Sequence, residues 1–352
     1  MSGQPGAALP LPVTPEQITA DWLSRATGVP IASARVRDII PGTSTKIRVV
    51  IDSAGALPET LIVKGGFEAH SPNMAEMYVN EAQFYERIAP VLPLPGPKCW
   101  FSGSDPDSFQ SIVILEDLNR ADVTWLHAQT PQSPGAVARR LAVMARFHAA
   151  SWSAPGAEPD GRFSRLPGRF AEWSMVYSRR YLVPDVWDHY CRSPRGAAVS
   201  ITLHDRDWMV RAFDDFARIE AQGPRCVIHG DTHLGNLFEW PDGSPGFLDP
   251  QPSLANPLME VAYHMTAALD IVDRREAERE LLAGYLDALR ANGVSPPEFD
   301  EAWLQYRQFL AYGYFIYLIN EISFQTEAVN TACAARFGAA MLDHDVRLLL
   351  GA

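Results

Sequence analysis

The chain contains little cysteine and little positive charge, and each shortage narrows the possible functions. Only four of the 352 residues are cysteine, and no two of them form a CxxC pair. Such wide spacing favours reduced thiols over a disulfide framework or a cysteine-rich zinc site. The formal net charge is -12, which disfavours DNA, RNA and anionic membranes as partners.

Long apolar segments are missing as well. The first residues carry neither a basic start nor a long apolar run, so we expect no signal peptide. The longest apolar run, residues 309–319, is 11 residues long, whereas a helix that crosses a bilayer needs about 20. We therefore interpret this run as a buried helix and expect a cytoplasmic protein without a membrane partner. The sequence contains no signal for a particular oligomeric state.

The composition is that of a folded protein, with 47% hydrophobic and 20% charged residues. In the first part of the chain, five short segments separated by turn residues predict strands. One helix is predicted after the third strand, because Ser71-Pro72 suits a helix start. Since parallel βαβ repeats are absent, we predict a small, mostly antiparallel sheet with this helix packed on it. The strands are predicted at residues 34–40, 47–52, 60–64, 98–102 and 111–115, and the helix at 73–88.

Helical patterns dominate the rest of the chain. They are interrupted at residues 226–248 by a short strand-loop-strand segment rich in Gly, His and Asp. The sequence therefore predicts an α+β protein in two parts, residues 1–117 and 118–352. A further helix is predicted ahead of the first strand, from Thr14 to Thr27, because Thr14 and Gln17 can form a capping box.

The most informative stretch, HGDTHLGN at residues 229–236, directly follows an apolar strand. Asp249 ends a second apolar strand, 13 residues after Asn236. Strand ends hold polar side chains at a rigid edge. Phosphoryl transfer needs a carboxylate beside the attacking hydroxyl and hard oxygen ligands that hold Mg²⁺ against the phosphates. Asp231, Asn236 and Asp249 are residues of the required types.

These segments resemble those of a known superfamily. HGDTHLGN and the later FLDPQ are similar to the catalytic loop and metal-binding segment of the aminoglycoside phosphotransferases and choline kinases, a branch of the protein-kinase-like fold. Protein kinases have Arg where this chain has Gly230, and Phe-Gly where it has Pro250-Gln251. Both departures favour the small-molecule branch. The string ILEDL at residues 114–118 is similar to ecdysteroid-kinase-like members.

The resemblance implies a two-lobed kinase-like fold and an ATP- and Mg²⁺-dependent transfer of the γ-phosphoryl group to a small-molecule hydroxyl. Asp231 would be the catalytic carboxylate, and Asn236 and Asp249 would be the Mg²⁺ ligands. His229 would be a structural residue of the loop. Glu260, at the start of a later helix, is interpreted as a carboxylate that braces the catalytic loop.

The first part supplies candidates for nucleotide binding. Lys64 ends the third predicted strand, where a lysine can reach the α- and β-phosphates. The superfamily pairs this lysine with a glutamate of the next helix, and the string NEAQFY at residues 80–85 resembles the family pattern that contains it. Glu76 and Glu86 lie on the same predicted helix, and we expect Glu81 to be the partner.

Two further nucleotide contacts are predicted from position along the chain. The turn between the first two strands has small residues whose backbone N–H groups can approach phosphate oxygens; the candidates are Gly42, Thr43 and Ser44. The segment after the fifth strand corresponds to the linker whose backbone binds adenine in kinase-like folds. Glu116 and Leu118 would act there through backbone groups.

Two other functions compete with a small-molecule kinase. Imidazole and carboxylate groups suit Zn²⁺, so His229, Asp231 and His233 could form the centre of a metal-dependent hydrolase. Alternatively, the chain could be a catalytically silent nucleotide-binding relative. The acceptor remains open among aminoglycosides, macrolides, choline, sterol-like alcohols, homoserine-like metabolites and hydroxyacyl compounds.

Overall fold

The computed structural model describes residues 9–130, 132–153, 161–170 and 172–351. The chain forms two compact units. The first ends at Val91 and resumes from Gly96 to Val123, and the second comprises Leu92–Pro95 and the chain from Thr124 onward. The sequence prediction placed the boundary at residue 117, close to the end of the first unit.

The first unit is built on a five-stranded antiparallel sheet, as the sequence predicts. Its strand order is β1-β2-β3-β5-β4. Along β2, Ile47, Val49 and Ile51 are buried while their neighbours are partly exposed, which is the alternation of a strand with one face on a core. The strands are β1 (Ser33–Ile40), β2 (Thr45–Asp52), β3 (Thr60–Gly65), β4 (Cys99–Asp105) and β5 (Gln110–Glu116).

Two helices accompany this sheet. The first, α1 (Ala20–Thr27), starts later than predicted. The capping box at Thr14 forms, but it supports only one 3-10 turn, because Ile18 leaves helical geometry (φ -80, ψ 75). Thr19 then caps α1 by accepting a hydrogen bond from the Trp22 backbone N–H. The second helix, α2 (Ala75–Gln83), continues into a π-helical turn and occupies most of the predicted range 73–88.

The second unit is mainly helical, which confirms the predicted α+β class. The apolar run at 309–319 is confirmed as part of a buried helix, α10 (Phe299–Ile319), whose Phe309, Tyr314 and Tyr317 are buried. In the described part of the chain, no helix has both the length and the hydropathy to cross a membrane. The helices are α3 (Pro134–Ala149), α4 (Glu172–Tyr181), α5 (Pro184–Cys191), α6 (Pro194–Ala197), α7 (Arg206–Gln222), α8 (Pro257–Ala268), α9 (Ile271–Ala291), α10 (Phe299–Ile319) and α11 (Glu327–Asp343).

Five short strands of the second unit position its polar loops. Two of them, β7 (Cys226–Ile228) and β10 (Ser253–Ala255), pair with each other, and β8 (Leu237–Glu239) pairs with β6 (Thr124–Trp125) and β9 (Pro245–Phe247). The chain leaves β7 directly into the HGDTHLGN loop and leaves β9 towards Asp249. The two strands predicted to deliver the polar side chains are therefore present.

Candidate active site

The loop after β7 depends on glycine at position 230. Gly230 has φ +88, a left-handed conformation that side chains with a Cβ rarely adopt. A Cβ added there would lie 1.9 Å from the carbonyl oxygen of Gln251, whose own N–H donates to the His229 carbonyl at 2.8 Å. Two backbone segments thus meet where protein kinases have arginine, and only glycine fits this contact.

His229 is a structural residue of this loop. Its Nδ1 accepts a hydrogen bond from the Asp231 backbone N–H at 3.2 Å, and its Nε2 therefore carries the proton that is donated to the Leu248 carbonyl at 3.0 Å. Burial lowers the pKa of His229 below its ordinary value, so the neutral ring is favoured. Both ring nitrogens are engaged, which leaves neither for zinc. Within the described ranges, no group of three His, Cys, Asp or Glu side chains could hold a metal ion.

Glu260 of α8 braces the loop, which confirms the interpretation of this residue. Its Oε1 accepts from the Gly230 N–H at 2.6 Å and its Oε2 from the His229 N–H at 3.2 Å. His148 of α3 donates to the same Oε2 at 2.9 Å. Burial disfavours the charged carboxylate, but the hydrogen bond and charge of His148 hold the pKa of Glu260 below its usual range.

We expect Glu260→Ala to lower the free energy of unfolding by about 3–5 kcal/mol, because it leaves two loop amides and His148 without their buried acceptor. Urea denaturation measures this change, with Glu280→Ala, an exposed glutamate of α9, as the control. The pKa of Glu260 is lower in the folded state than in the unfolded state. Its contribution to stability is therefore complete above pH about 4.3, the pKa of an unfolded glutamate, and is lost as the pH falls through the folded-state pKa. Equal stabilities of the two variants at pH 7 would contradict this role.

The Asp231 carboxylate is held by several donors. Oδ2 accepts from the Asn236 amide Nδ2 at 2.9 Å and lies 3.5 Å from His233 Nε2, and Oδ1 lies 3.4 Å from the Tyr263 hydroxyl. Burial opposes ionisation, but the charge and hydrogen bond of His233 and the charge of Arg169 keep the pKa of Asp231 below its usual value. The carboxylate is therefore ionised at neutral pH and can accept a hydrogen bond or a proton.

Asn236 contacts Asp231, and the segment that carries Asp249 is bound to Asn236 through the backbone. The amide Nδ2 of Asn236 donates to Asp231 Oδ2 and also to its backbone carbonyl at 3.0 Å, which directs the amide oxygen to the opposite side. The Leu248 N–H donates to the Asn236 carbonyl at 3.0 Å and so fixes the start of the Asp249 segment. Asp249 itself is in the left-handed region, at φ +54. Such strain is concentrated at functional sites.

The donor set at this position suits Mg²⁺. An amide oxygen and a carboxylate are hard ligands, and Mg²⁺ in phosphoryl-transfer sites takes few protein ligands because phosphates and waters supply the others. Asn236 and Asp249 would hold the ion, and Asp231 would lie beside it. Of the three residues predicted from the sequence, the structure places Asn236 against Asp231, and Asp249 directly follows Leu248, whose N–H is bound to the Asn236 carbonyl.

Two residues close to Asp231 were missed by sequence reasoning. Arg169 donates from Nη2 to the Gly230 carbonyl at 2.5 Å, and Tyr263 of α8 reaches Asp231. Neither residue belongs to a contiguous motif, and both lie at least 32 residues from their partners along the chain. No local pattern signals such contacts, because they arise from the packing of helices onto the loop.

In the first unit, Lys64 and Glu81 form a buried ion pair. Lys64 Nζ lies 2.7 Å from Glu81 Oε1, and each side chain is 5% exposed. The other two candidates on the same stretch, Glu76 and Glu86, are exposed. The glutamate predicted to partner Lys64 is therefore the one that the structure pairs with it.

The predicted phosphate loop is tied to α2. The Thr43 carbonyl accepts a hydrogen bond from the Tyr78 hydroxyl and lies 3.3 Å from His70 Nε2. At Gly42 an added Cβ would lie 3.3 Å from the Ser44 carbonyl oxygen, and its φ is not left-handed, so the backbone there does not depend on glycine. Ser44 is buried.

The predicted adenine linker follows β5. Glu116 is fixed at its backbone and its side chain, because its N–H donates to the Lys98 carbonyl at 2.9 Å and its Oε2 accepts from the Lys98 N–H at 3.2 Å. Leu118 is buried and starts a 3-10 turn. The two hydrogen bonds with Lys98 hold the backbone at the start of the linker in one conformation.

The chain is similar to known phosphotransferases in its sequence profile and in its structure. Residues 44–304 match the profile of the phosphotransferase enzyme family, and no curated protein sequence matches the chain. Choline kinase from Cryptosporidium parvum has a similar structure, with 12% identity, a TM-score of 0.55, and 89% of this chain and 91% of that chain covered. A putative aminoglycoside phosphotransferase from Ralstonia eutropha matches with 14% identity and a TM-score of 0.54, covering 92% and 96%.

A third similar structure is the GDP and kanamycin complex of APH(2")-IIia, with 12% identity, a TM-score of 0.50, and coverage of 82% and 84%. Identities this low establish the shared fold alone. The family profile, in contrast, spans well over half of the sequence. Its match extends from the turn before β2 to the start of α10 and includes Lys64, Glu81, the HGDTHLGN loop and Asp249. This protein therefore belongs to the phosphotransferase enzyme family.

Proposed function

We propose that the protein is an ATP- and Mg²⁺-dependent small-molecule kinase that transfers the γ-phosphoryl group to an alcohol. The observation that carries the proposal is the ionised Asp231 carboxylate, fixed by Asn236 and adjacent to the Asp249 segment. A phosphoryl acceptor must be oriented and deprotonated at one position, and hard oxygen ligands are needed beside it. In our proposal Asp231 meets the first requirement, and Asn236 and Asp249 meet the second.

Asp231 would act on the acceptor hydroxyl. Its carboxylate accepts the hydroxyl hydrogen bond and takes up the proton as the oxygen attacks phosphorus. Asn236 and Tyr263 fix its two oxygens, so the base is in position before the acceptor arrives. Mg²⁺ bound to Asn236 and Asp249 would neutralise the charge of the phosphates.

Lys64 would bind the α- and β-phosphates of ATP. Its ammonium group is held by Glu81, which keeps a buried lysine charged and oriented. The loop containing Gly42, Thr43 and Ser44 would cover the phosphates through its backbone. The backbone of Glu116 and Leu118 would bind the adenine edge.

The similar structures support a nucleotide and an alcohol as substrates. One of them contains GDP and kanamycin, one is a choline kinase, and another is an aminopropanol kinase associated with a microcompartment, at 14% identity and a TM-score of 0.51. Choline and aminopropanol are small alcohols. We further propose a cytoplasmic location, since all four cysteines are free thiols.

We expect Lys64→Met to lower kcat/KM for ATP by about 10²–10³-fold, because it removes a positive charge that is fixed against the phosphates. The variant is assayed by ADP release in the presence of a panel of alcohols. Glu76→Gln, which alters an exposed glutamate of α2, serves as a control that should retain full activity. Binding of MgATP without ADP release from any alcohol would instead indicate a catalytically silent relative.

A further inference from the structure

One face of α8 contacts the catalytic loop on both sides of Asp231. Glu260 accepts from the N–H groups of the two residues that precede the base, and the Tyr263 hydroxyl lies 3.4 Å from its carboxylate. His264 Nδ1 lies 2.9 Å from the carbonyl oxygen of Thr232, the residue that follows the base. Side chains three and four positions apart lie on the same face of a helix, so a single face contacts four successive residues of the loop.

The hydrogen bond to Thr232 depends on which ring nitrogen of His264 carries the proton. The Nε of Arg140, a residue of α3, lies 3.2 Å from His264 Nε2. A guanidinium donates hydrogen bonds and accepts none, so Nε2 must be the unprotonated acceptor. The proton of the neutral ring is then on Nδ1, which donates to the Thr232 carbonyl. Arg140 thus sets the tautomer on which the contact with the loop depends.

The three members of this Arg140–His264–Thr232 relay are fully buried. Burial and the charge of Arg140 lower the pKa of His264 to about 3, so the ring is neutral at neutral pH. Burial also lowers the pKa of Arg140, to about 10, while the charge of Glu239 at 3.5 Å from Nη1 opposes this, and the guanidinium stays charged. Both hydrogen bonds of the relay therefore persist in their drawn direction throughout the neutral range.

The helices α3 and α8 support the loop in two equivalent ways. His148 of α3 donates to Glu260 of α8, just as Arg140 donates to His264. The first pair holds N–H groups before Asp231, and the second holds a carbonyl after it. The backbone is thus tied to the helical core where it enters the base and where it leaves it. Such support from a second layer of residues keeps a functional side chain in place.

We propose that Arg140 and His264 are positioning residues of the phosphoryl transfer. Through the Thr232 carbonyl they hold the catalytic loop so that the Asp231 carboxylate faces the acceptor hydroxyl. This inference rests on the proposed function. Both residues act through the backbone of the loop, and neither is proposed to touch a substrate.

A purely structural role of the relay has different consequences for activity. A residue that only stabilises the fold changes the amount of active protein, but the molecules that still bind MgATP turn over at the normal rate. Loss of a positioning residue lowers the rate of those molecules as well, because a displaced base reacts poorly. The value of kcat per MgATP-binding site therefore separates the two roles, with the number of sites taken from calorimetric titration.

Two substitutions of His264 form a matched pair. Asparagine places an amide N–H near the position of the imidazole Nδ1 and can donate to Thr232, whereas phenylalanine keeps the ring shape and donates nothing. Both remove the acceptor of Arg140. We expect His264→Phe to lower kcat per site by about 10–10²-fold with nearly unchanged MgATP affinity, and His264→Asn to retain most of the activity. Met265→Ala, which removes a buried side chain of the same helix, should keep kcat per site.

ADP release from MgATP provides the rates. It is measured with choline, aminopropanol, kanamycin and homoserine as acceptors, and in buffer alone, where water is the acceptor. The acceptor that gives the highest rate with the unmodified protein is then used for every variant.

Arg140 is tested through the tautomer of His264. A heteronuclear NMR spectrum of the histidine rings should show the His264 proton on Nδ1 in the unmodified protein, and the loss of this signal in His264→Phe assigns it. Arg140→Met should allow the proton to move to Nε2 and should lower kcat per site. Arg139→Met, which alters an exposed arginine beside the same Glu239, should change neither.

Three outcomes would overturn the inference. They are equal kcat per site in His264→Asn and His264→Phe, a proton on Nε2 of His264 in the unmodified protein, or an Arg140→Met variant with unchanged tautomer and rate. Failure of the proposed function has a different signature, in which MgATP causes no thermal stabilisation and no acceptor supports ADP release. That result would remove the inference as well, although the His264 proton would still be found on Nδ1.

Discussion

Asp231→Asn is expected to lower kcat by about 10²–10⁴-fold, the range typical of the loss of a general base. The amide keeps the shape of the side chain but cannot take up a proton. Nucleotide binding should be nearly unchanged, because in our proposal Asn236 and Asp249 hold the metal. ADP release gives kcat, and calorimetric titration with MgATP gives the affinity.

The pH dependence adds a second test of Asp231. Burial raises its pKa, but His233 and Arg169 lower it below its ordinary value overall. The base therefore stays ionised throughout the neutral range, and protonation of this group reduces activity only at acidic pH. Asp242→Asn, which alters an exposed aspartate in the turn after β8, provides the control. Turnover of Asp231→Asn at the rate of the unmodified protein would refute the assignment.

Asp249→Asn is expected to weaken Mg²⁺-dependent ATP binding by about 10²-fold or more, because it removes the only proposed ligand with a full negative charge. Asparagine suits this position, since it tolerates the left-handed conformation seen at φ +54. The substitution thus changes the charge with little change in backbone strain. Calorimetric titrations with ATP in the presence and absence of Mg²⁺ measure the effect. Only the affinity in the presence of Mg²⁺ should fall.

An independent readout comes from His233. Burial lowers the pKa of this histidine, while Asp231 and Asp249 raise it above its ordinary value overall. Removal of the Asp249 charge should therefore lower the pKa of His233, which an NMR titration of the imidazole can follow. If Asp249→Asn changes neither the Mg²⁺-dependent affinity for ATP nor the pKa of His233, then Asp249 lies too far away to act as proposed.

The sequence predicted those parts of the site that depend on local structure. HGDTHLGN is contiguous, and its glycine, histidine and aspartate positions are fixed by contacts within the loop and with residues 248–251. Glu81 could be chosen among three glutamates because the string around it has a recognisable pattern, and the structure places it against Lys64. The antiparallel sheet was predictable because turn residues separate all five strands.

Other features depend on long-range packing, which the sequence does not display. Arg169 is 61 residues before Gly230, and the neighbouring Phe170 is packed in the core of the second unit. Tyr263 looks like one more apolar residue of a buried helix until its hydroxyl is seen beside Asp231. The first helix was predicted one turn too early, because the capping box at Thr14 is real but Ile18 interrupts the helix that it starts.

The bracing of the catalytic loop by Glu260 has a consequence for how substrates are recognised. One carboxylate fixes two successive amides of the loop and is itself held by a histidine from a third element. The backbone of the base is consequently fixed, because no shift of the loop can carry it towards a poorly placed hydroxyl without breaking these buried bonds, and Asn236 holds its side chain. Discrimination among alcohols must then depend on whether the acceptor can place its hydroxyl oxygen against the Asp231 carboxylate. The protein therefore selects acceptors by their shape and does not adjust its base to each of them.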